Sequence, residues 1–226
     1  MTENTPPRKR GKQSAVSAAR TRETIIEAAI ECFSRLGYDA TSVREIAQTA
    51  HLTHGTLRHH FGGKLEIWKA VADTVLEYYR DKLTPIILQA QRQKAETRDK
   101  TGTPDPLRNF KQVVRVFIEA SYSNPIFAKL LMAESQTDNE RADYMRANFL
   151  SLHEPIGVLF EQAQARCETL RIYNNDSFFL ALLSLTFFPL TQPGIHGLLG
   201  ESVSNQPAEQ AQRIMGILFN DVQTGP

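Results

Sequence analysis

"TSVREIAQTAHLTHGTLRHHFGGK", residues 41–64, decides the fold. Ser42 followed three residues later by Glu45 is a capping box, and it opens a short helix with Val43, Ile46 and Ala47 on its buried face. "HLT" (51–53) makes a tight turn, and Thr53 is placed to cap a second short helix. Leu57 and Phe61, four apart, share the buried face of that helix, and Gly62-Gly63 ends it. Upstream, Ile26, Ala29, Ile30, Phe33 and Leu36 recur on one stripe of a helix running from about Ala15 to Leu36, which Gly37 stops. A longer helix followed by two short ones across a tight turn predicts a helix-turn-helix.

The second short helix holds unusual chemistry. Four of the six histidines of the chain lie at 51, 54, 59 and 60, with Arg58 among them. A zinc pair on a helix sits best at i, i+4. His54 is instead five residues from His59 and six from His60, rotations of roughly 140° and 240°. No carboxylate or cysteine in the stretch completes a tetrahedron, so no metal is expected. Nothing suggests a nucleophile–base–carboxylate arrangement either, and the expectation is that the protein is not an enzyme and carries no cofactor. A spatial cluster that only folding would assemble stays open. With Leu57 and Phe61 turned inward, Gly55, Thr56 and His59 lie opposite, Arg58 and His60 flank them, and His54 occupies the tip. That outward surface is small, polar and hydrogen-bonding. Gly55 permits close backbone approach, and Arg58 can grip a guanine edge or a phosphate. A solvated face that touches nothing is the plain alternative.

Charge is compatible with a polyanionic partner. Residues 1–64 hold ten Lys/Arg against six Asp/Glu, whereas the remainder is mildly acidic, and the chain as a whole is +1. A basic head on an acidic body points to nucleic acid at the head. Residues 1–14, "MTENTPPRKRGKQS", form a polar, basic arm expected to be flexible, able to add phosphate or minor-groove contacts through Arg8, Lys9, Arg10 and Lys12. The arm has no apolar stretch of the signal-peptide kind. The longest apolar run, Phe178 to Leu190, is too short to cross a bilayer. Two distant cysteines, Cys32 and Cys167, read as free thiols in a reducing compartment. A cytoplasmic protein without membrane contact is expected.

The rest of the chain also reads helical. Helices are expected over Lys64 to about Leu83, Pro85 to about Glu96, and roughly 107–123, 125–135 and 139–168, with Pro155 kinking the last. One more starts near Asp176 and breaks at "TQPG" (191–194), and a final one runs from Pro207 to about Val222. Residues 97–106 read as a loop. No stretch alternates with period two long enough to be a strand. The expected fold class is all-α: a flexible arm (1–14), a helix-turn-helix domain (15–63) and a larger helical domain (64–226).

"TRETIIEAAIECFSRLGYDATSVREIAQTAHLTHGTLRHHFGGKLEI" (21–67) resembles the DNA-binding region of the tetracycline-repressor (TetR) family, through its paired alanines, "GYDATSVREIA" and "GTLRHHFGGK". The resemblance implies a ligand-responsive transcriptional regulator, most often a repressor. It would bind a palindromic double-stranded DNA operator as a homodimer and release it on taking up a small-molecule effector. It assigns Thr41, Ser42 and Arg44 to phosphate or base contacts. Thr53, His54, Gly55, Thr56, Arg58 and His59 then lie at the base-reading helix, and His60 and Lys64 contact the DNA backbone. Two positions depart from the family pattern: Arg58 stands where an aromatic residue is usual, and His54 where lysine is common. Either alters operator preference. Imidazolium at His54 would tighten binding as the pH falls.

The resemblance also implies an effector cavity in the larger domain. Phe110, Val114, Arg115, Phe117, Tyr122, Met132, Tyr144, Phe149 and His153 are the candidate lining. Its apolar character favours an apolar or aromatic ligand, with Arg115 or His153 available to a carboxylate. "DSFFLALLSLTFFPL" (176–190) is hydrophobic almost all round and must be covered on every side. Its Phe178, Phe179, Leu182 and Leu185, with Ile214, Ile217 and Leu218 of the last helix, are the candidate dimer seam. An interior helix of a monomer is the alternative. A non-specific architectural DNA protein is the other reading of the basic head.

Overall fold

The structure is a computed structural model that describes residues 10–96, 105–136, 138–199 and 206–220. Residues 1–9 of the basic arm and 97–104 of the expected loop lie outside the described residues. All regular structure among the described residues is helical. None of those helices is long and apolar enough to cross a membrane. The chain divides into two compact units after Val71, inside its fourth helix.

In the first unit, α1 spans Arg10–Ala40 and is kinked at Gly37, whose φ of 77° falls where a side chain is strained. The helix begins before Ala15 and the chain turns again after the glycine. Ile25, Ala29, Cys32 and Phe33 of α1 are buried. The next helix, α2 (Val43–Thr49), opens on the capping box expected from the sequence: the Glu45 amide donates to Ser42 Oγ and the Ser42 amide to the Glu45 carboxylate. His51 takes the turn with φ 54°, a left-handed conformation uncommon outside glycine, asparagine and aspartate. Its amide donates to Gln48 O and that of Leu52 to Ala47 O, which closes the turn. The third helix, α3 (His54–Phe61), is capped by Thr53, whose hydroxyl accepts from the Thr56 amide at 3.1 Å. Leu57 is completely buried and Phe61 nearly so. Burying a leucine stabilises by about 1.5–3 kcal/mol, which pins the inward face of a helix too short to be stable alone.

The fourth helix, α4, spans Lys64–Glu96 without the break expected at Pro85. A proline removes one donor from a helix and crowds one carbonyl. Leu83, Ile87 and Ala90 are buried on either side of it, which carries the helix across.

The second unit holds the rest of α4 and six further helices: α5 (Pro106–Ser123), α6 (Ile126–Glu134), α7 (Glu140–Gln164), α8 (Asn175–Thr191), α9 (Gly194–Leu199) and α10 (Pro207–Phe219), with a 3-10 turn at Glu168–Ile172. Asp105 caps α5 by accepting from the Arg108 amide, and Pro106 fills a first-turn position, where its missing N–H costs nothing. The α5 helix packs against α7, α8 and α10. Phe110 of α5 meets Phe160, Phe178 and Phe219 with centroids 5.2–6.0 Å apart. This is the range in which tilted aromatic pairs attract. A second group gathers Tyr79, Phe117, Phe127 and Phe187. The Tyr79 hydroxyl donates to Ser121 Oγ at 3.0 Å, and burial pushes its ionisation well above the usual tyrosine range.

Candidate nucleic-acid interface and apolar cavity

The exposed surface of α3 is built by the residues that do not anchor it. His54, Gly55, Arg58 and His59 are exposed and Thr56 and His60 half-exposed. A side chain added at Gly55 would meet only Thr53 Oγ1, at 3.7 Å. Arg44 of α2 is exposed too. Among the described residues, Arg44, His54 and Arg58 have no hydrogen bond or ion pair. The two arginines and one imidazole therefore present unengaged donors to a partner, from two helices packed together. The rings of His59 and His60 sit edge to face at 5.4 Å. Thr53 Oγ1 also pairs with Thr56 Oγ1 at 2.9 Å, so these hydroxyls steady the helix tip as well as facing outward.

Two residues expected on this surface are used internally. Thr41 is 2% exposed, and its hydroxyl donates to Gly37 O at 2.7 Å, closing the chain behind the α1 kink. Its side chain is therefore not a phosphate contact. Lys64 is half-buried, with Nζ donating to Thr41 O at 2.7 Å and Asp39 O at 3.3 Å and lying 4.2 Å from the Tyr38 ring. Its ammonium serves carbonyls at and just past the C-terminal end of α1. Ser42 is exposed, but its hydroxyl caps α2. The Glu45 carboxyl is held below its ordinary range, first by the Ser42 backbone amide and then by the Ser42 hydroxyl.

One positioning residue was missed. Arg22 of α1 donates through Nη1 to His60 O at 2.9 Å, and its guanidinium lies 4.1 Å from the Phe61 ring centroid. It fastens the C-terminal end of α3, where a cation complements the helix dipole. Nothing in the α1 pattern distinguishes it from other surface arginines.

In the second unit, α5, α7 and α8 enclose a small apolar cavity of about 20 Å³. Of the candidate lining, Val114, Phe117, Phe149 and His153 border this cavity, together with Val113, Leu152, Ile156, Phe179, Leu182 and Leu183. The remaining candidates lie elsewhere. Phe110 belongs to the aromatic core. Arg115 and Met132 face outward, Tyr122 is half-buried away from the lining, and the Tyr144 hydroxyl donates to Asp73 at 2.5 Å. The His153 ring stacks on Phe149 at 5.9 Å and meets Phe179 edge-on at 4.0 Å. Burial lowers its proton affinity, against the opposing pull of Asp176 and Glu154.

The expected dimer seam also requires correction. Phe178, Phe179, Leu182, Ile214 and Leu218 are buried within their own unit, and Leu185 is half-buried. The apolar side chains left outward are Leu180 (67% exposed) and Phe188 (47%) on α8, and Ile217 (64%) on α10. Of the original set only Ile217 faces out. An all-round hydrophobic helix gives a wheel no way to choose its inner side.

The sequence profile described as "Bacterial regulatory proteins, tetR family" matches residues 25–71. The HTH-type transcriptional regulator SrpR of Pseudomonas putida is 40% identical over 60 residues, which are 26% of this chain and only 28% of that relative. Solved structures match over far more of the chain. PfmR, a TetR family transcriptional regulator from Thermus thermophilus, is 19% identical with a TM-score of 0.65, covering 90% of this chain and 98% of that one. AibR, solved in complex with isovaleryl coenzyme A and operator DNA, is 16% identical with a TM-score of 0.67, covering 88% and 98%. At these identities the likeness is one of fold: an N-terminal helix-turn-helix with a helical C-terminal domain. SrpR and PfmR are both described as transcriptional regulators.

Proposed function

We propose that the chain is a ligand-responsive transcriptional repressor of the TetR family, whose sequence profile matches its residues 25–71. It binds a palindromic DNA operator as a homodimer and is released by a small apolar or aromatic effector. The observation that carries this reading is the surface of α2 and α3. Arg44, His54 and Arg58 stand exposed and unengaged on helices anchored from behind by Ile46, Leu57 and Phe61. Phosphates fix such a domain on the duplex and the α3 tip meets base edges in the major groove. Arg58 departs from the family's usual aromatic residue and adds a guanidinium that pairs with guanine or a phosphate.

A second copy supplies the second half-site. Leu180, Phe188 and Ile217 lie on α8 and α10, which pack on each other. Apolar side chains so exposed are covered when two copies pair. The cavity of α5, α7 and α8 takes the effector, and a ligand that prefers one conformer lowers DNA affinity by shifting the population toward it.

The test is a footprint on DNA selected from a random pool, with sedimentation of the free protein. Two protected patches about one helical turn apart, from a protein that sediments as a dimer, are expected. Uniform protection of any duplex would instead indicate an architectural protein, and a monomer with a single patch would remove the palindrome.

A further inference from the structure

The cavity walls are unusual for what they lack. Among the ten lining residues there is no Lys, Arg, Asp or Glu, and His153 is the sole polar side chain. Its imidazole is set between Phe149 and Phe179 by ring contacts alone. Neither ring nitrogen has a hydrogen bond among the described residues. A neutral imidazole offers one donor and one acceptor. The charged groups that act on it are Asp176, from the first turn of α8, and Glu154, its neighbour on α7; both are acidic. From α5 the cavity receives Val113, Val114 and Phe117 and no charge. An anion entering here would lose its water, find no cation and face two carboxylates nearby. An uncharged polar group would find an unoccupied partner.

We propose that this cavity selects an uncharged aromatic molecule carrying one hydroxyl that bonds to His153, and rejects the carboxylate of the same shape. This rests on the effector reading above and names its ligand class. The occupant must also open the site, because about 20 Å³ holds little more than a water. Phe149 and Leu183 are only half-buried, so moving them costs less packing than moving the fully buried walls. The α7 wall contains Pro155, which leaves the Ser151 carbonyl without its usual helical donor. Entry and a change in α7 packing therefore go together, which gives the ligand a differential affinity for two conformers.

Isothermal titration of the full chain near neutral pH with naphthalene, 2-naphthol and 2-naphthoate tests this. The naphthol should bind at least about tenfold more tightly than the naphthoate, because an unpaired buried charge costs more than a satisfied hydroxyl. His153→Leu should bring naphthol to the level of naphthalene, a loss of about three- to tenfold, and His153→Gln should retain part of the advantage. Naphthoate binding as well as naphthol overturns the proposal, even if neither variant folds. So does a His153→Leu protein that keeps the naphthol advantage. Naphthol that binds as expected but leaves operator affinity unchanged supports the cavity chemistry and defeats the effector reading. Failure of all three probes to bind overturns the ligand class proposed for this cavity and leaves the effector reading to be judged by operator affinity.

Discussion

Replacing Lys64 with glutamine separates two tasks that one ammonium can perform at this position. Nζ donates to Thr41 O at 2.7 Å and to Asp39 O at 3.3 Å, and lies 4.2 Å from the Tyr38 ring. A hydrogen bond from a charged donor contributes about 1.5–3 kcal/mol, and an exposed cation–π contact about 0.5–1 kcal/mol. The Asp39 bond lies at the solvent edge and adds little, and glutamine can keep one weaker bond to Thr41. What remains is a loss of about 1–2 kcal/mol. At about 2–4 °C per kcal/mol for a chain of this size, the melting temperature falls by roughly 2–8 °C. Because the ammonium is already engaged, the slope of log affinity against log salt should move by well under one unit. A lost phosphate contact would lower that slope by about one and leave stability nearly intact. Thermal melts followed by circular dichroism, with binding to selected DNA between about 50 and 200 mM salt, measure both quantities. A slope reduced by one unit with an unchanged melting temperature would refute the assignment of Lys64 to the interior of its own domain.

Other substitutions probe the remaining elements. Arg58→Ala should weaken binding to the selected operator by about 1–3 kcal/mol and either relax one base preference or lower the salt slope by about one; a variant unchanged in both would remove Arg58 from the interface. Leu180→Glu, at a side chain 67% exposed, should leave the fold intact and convert the proposed dimer to monomer in sedimentation equilibrium. Leu182→Glu, at 2% exposed, should unfold the second unit; dissociation without unfolding in that variant would mean the two faces of α8 are reversed. Glu45 has its carboxyl held below the ordinary range in the folded chain. Its contribution is therefore complete above the unfolded value and lost as the pH falls through the folded one. Urea titrations should show the wild type losing stability on acidification through the carboxylate range more steeply than Glu45→Gln.

The parts of the fold visible in the sequence are those set by neighbours along the chain. Ser42 and Glu45 announce α2 because a capping box is complete within four residues. Leu57 and Phe61 fix the inward side of α3 because one turn separates them, and that choice left His54 and Arg58 outside. The misreadings concern partners distant in sequence. Lys64 looks like a surface donor until the C-terminal end of α1 comes beside it and its Nζ meets the Asp39 and Thr41 carbonyls, 25 and 23 residues away. Arg22 is equally silent, because its acceptor is 38 residues on. The α8 helix shows that it must be covered but not by what, so Phe179 and Leu182 line a cavity and Leu180 and Phe188 face outward. On α5 one apolar stripe serves two layers, Phe110 in the aromatic core and Val114 at the cavity, and a wheel has no depth with which to separate them.

The central claim is that the exposed side of α3 reads base sequence. It is tested most directly by the ratio of affinities for a duplex selected from a random pool and for the same duplex scrambled, at one fixed salt concentration. The account predicts a preference of about a thousandfold or more. A ratio within a few-fold of one would mean that Arg44, His54 and Arg58 hold the phosphate backbone without discriminating among bases.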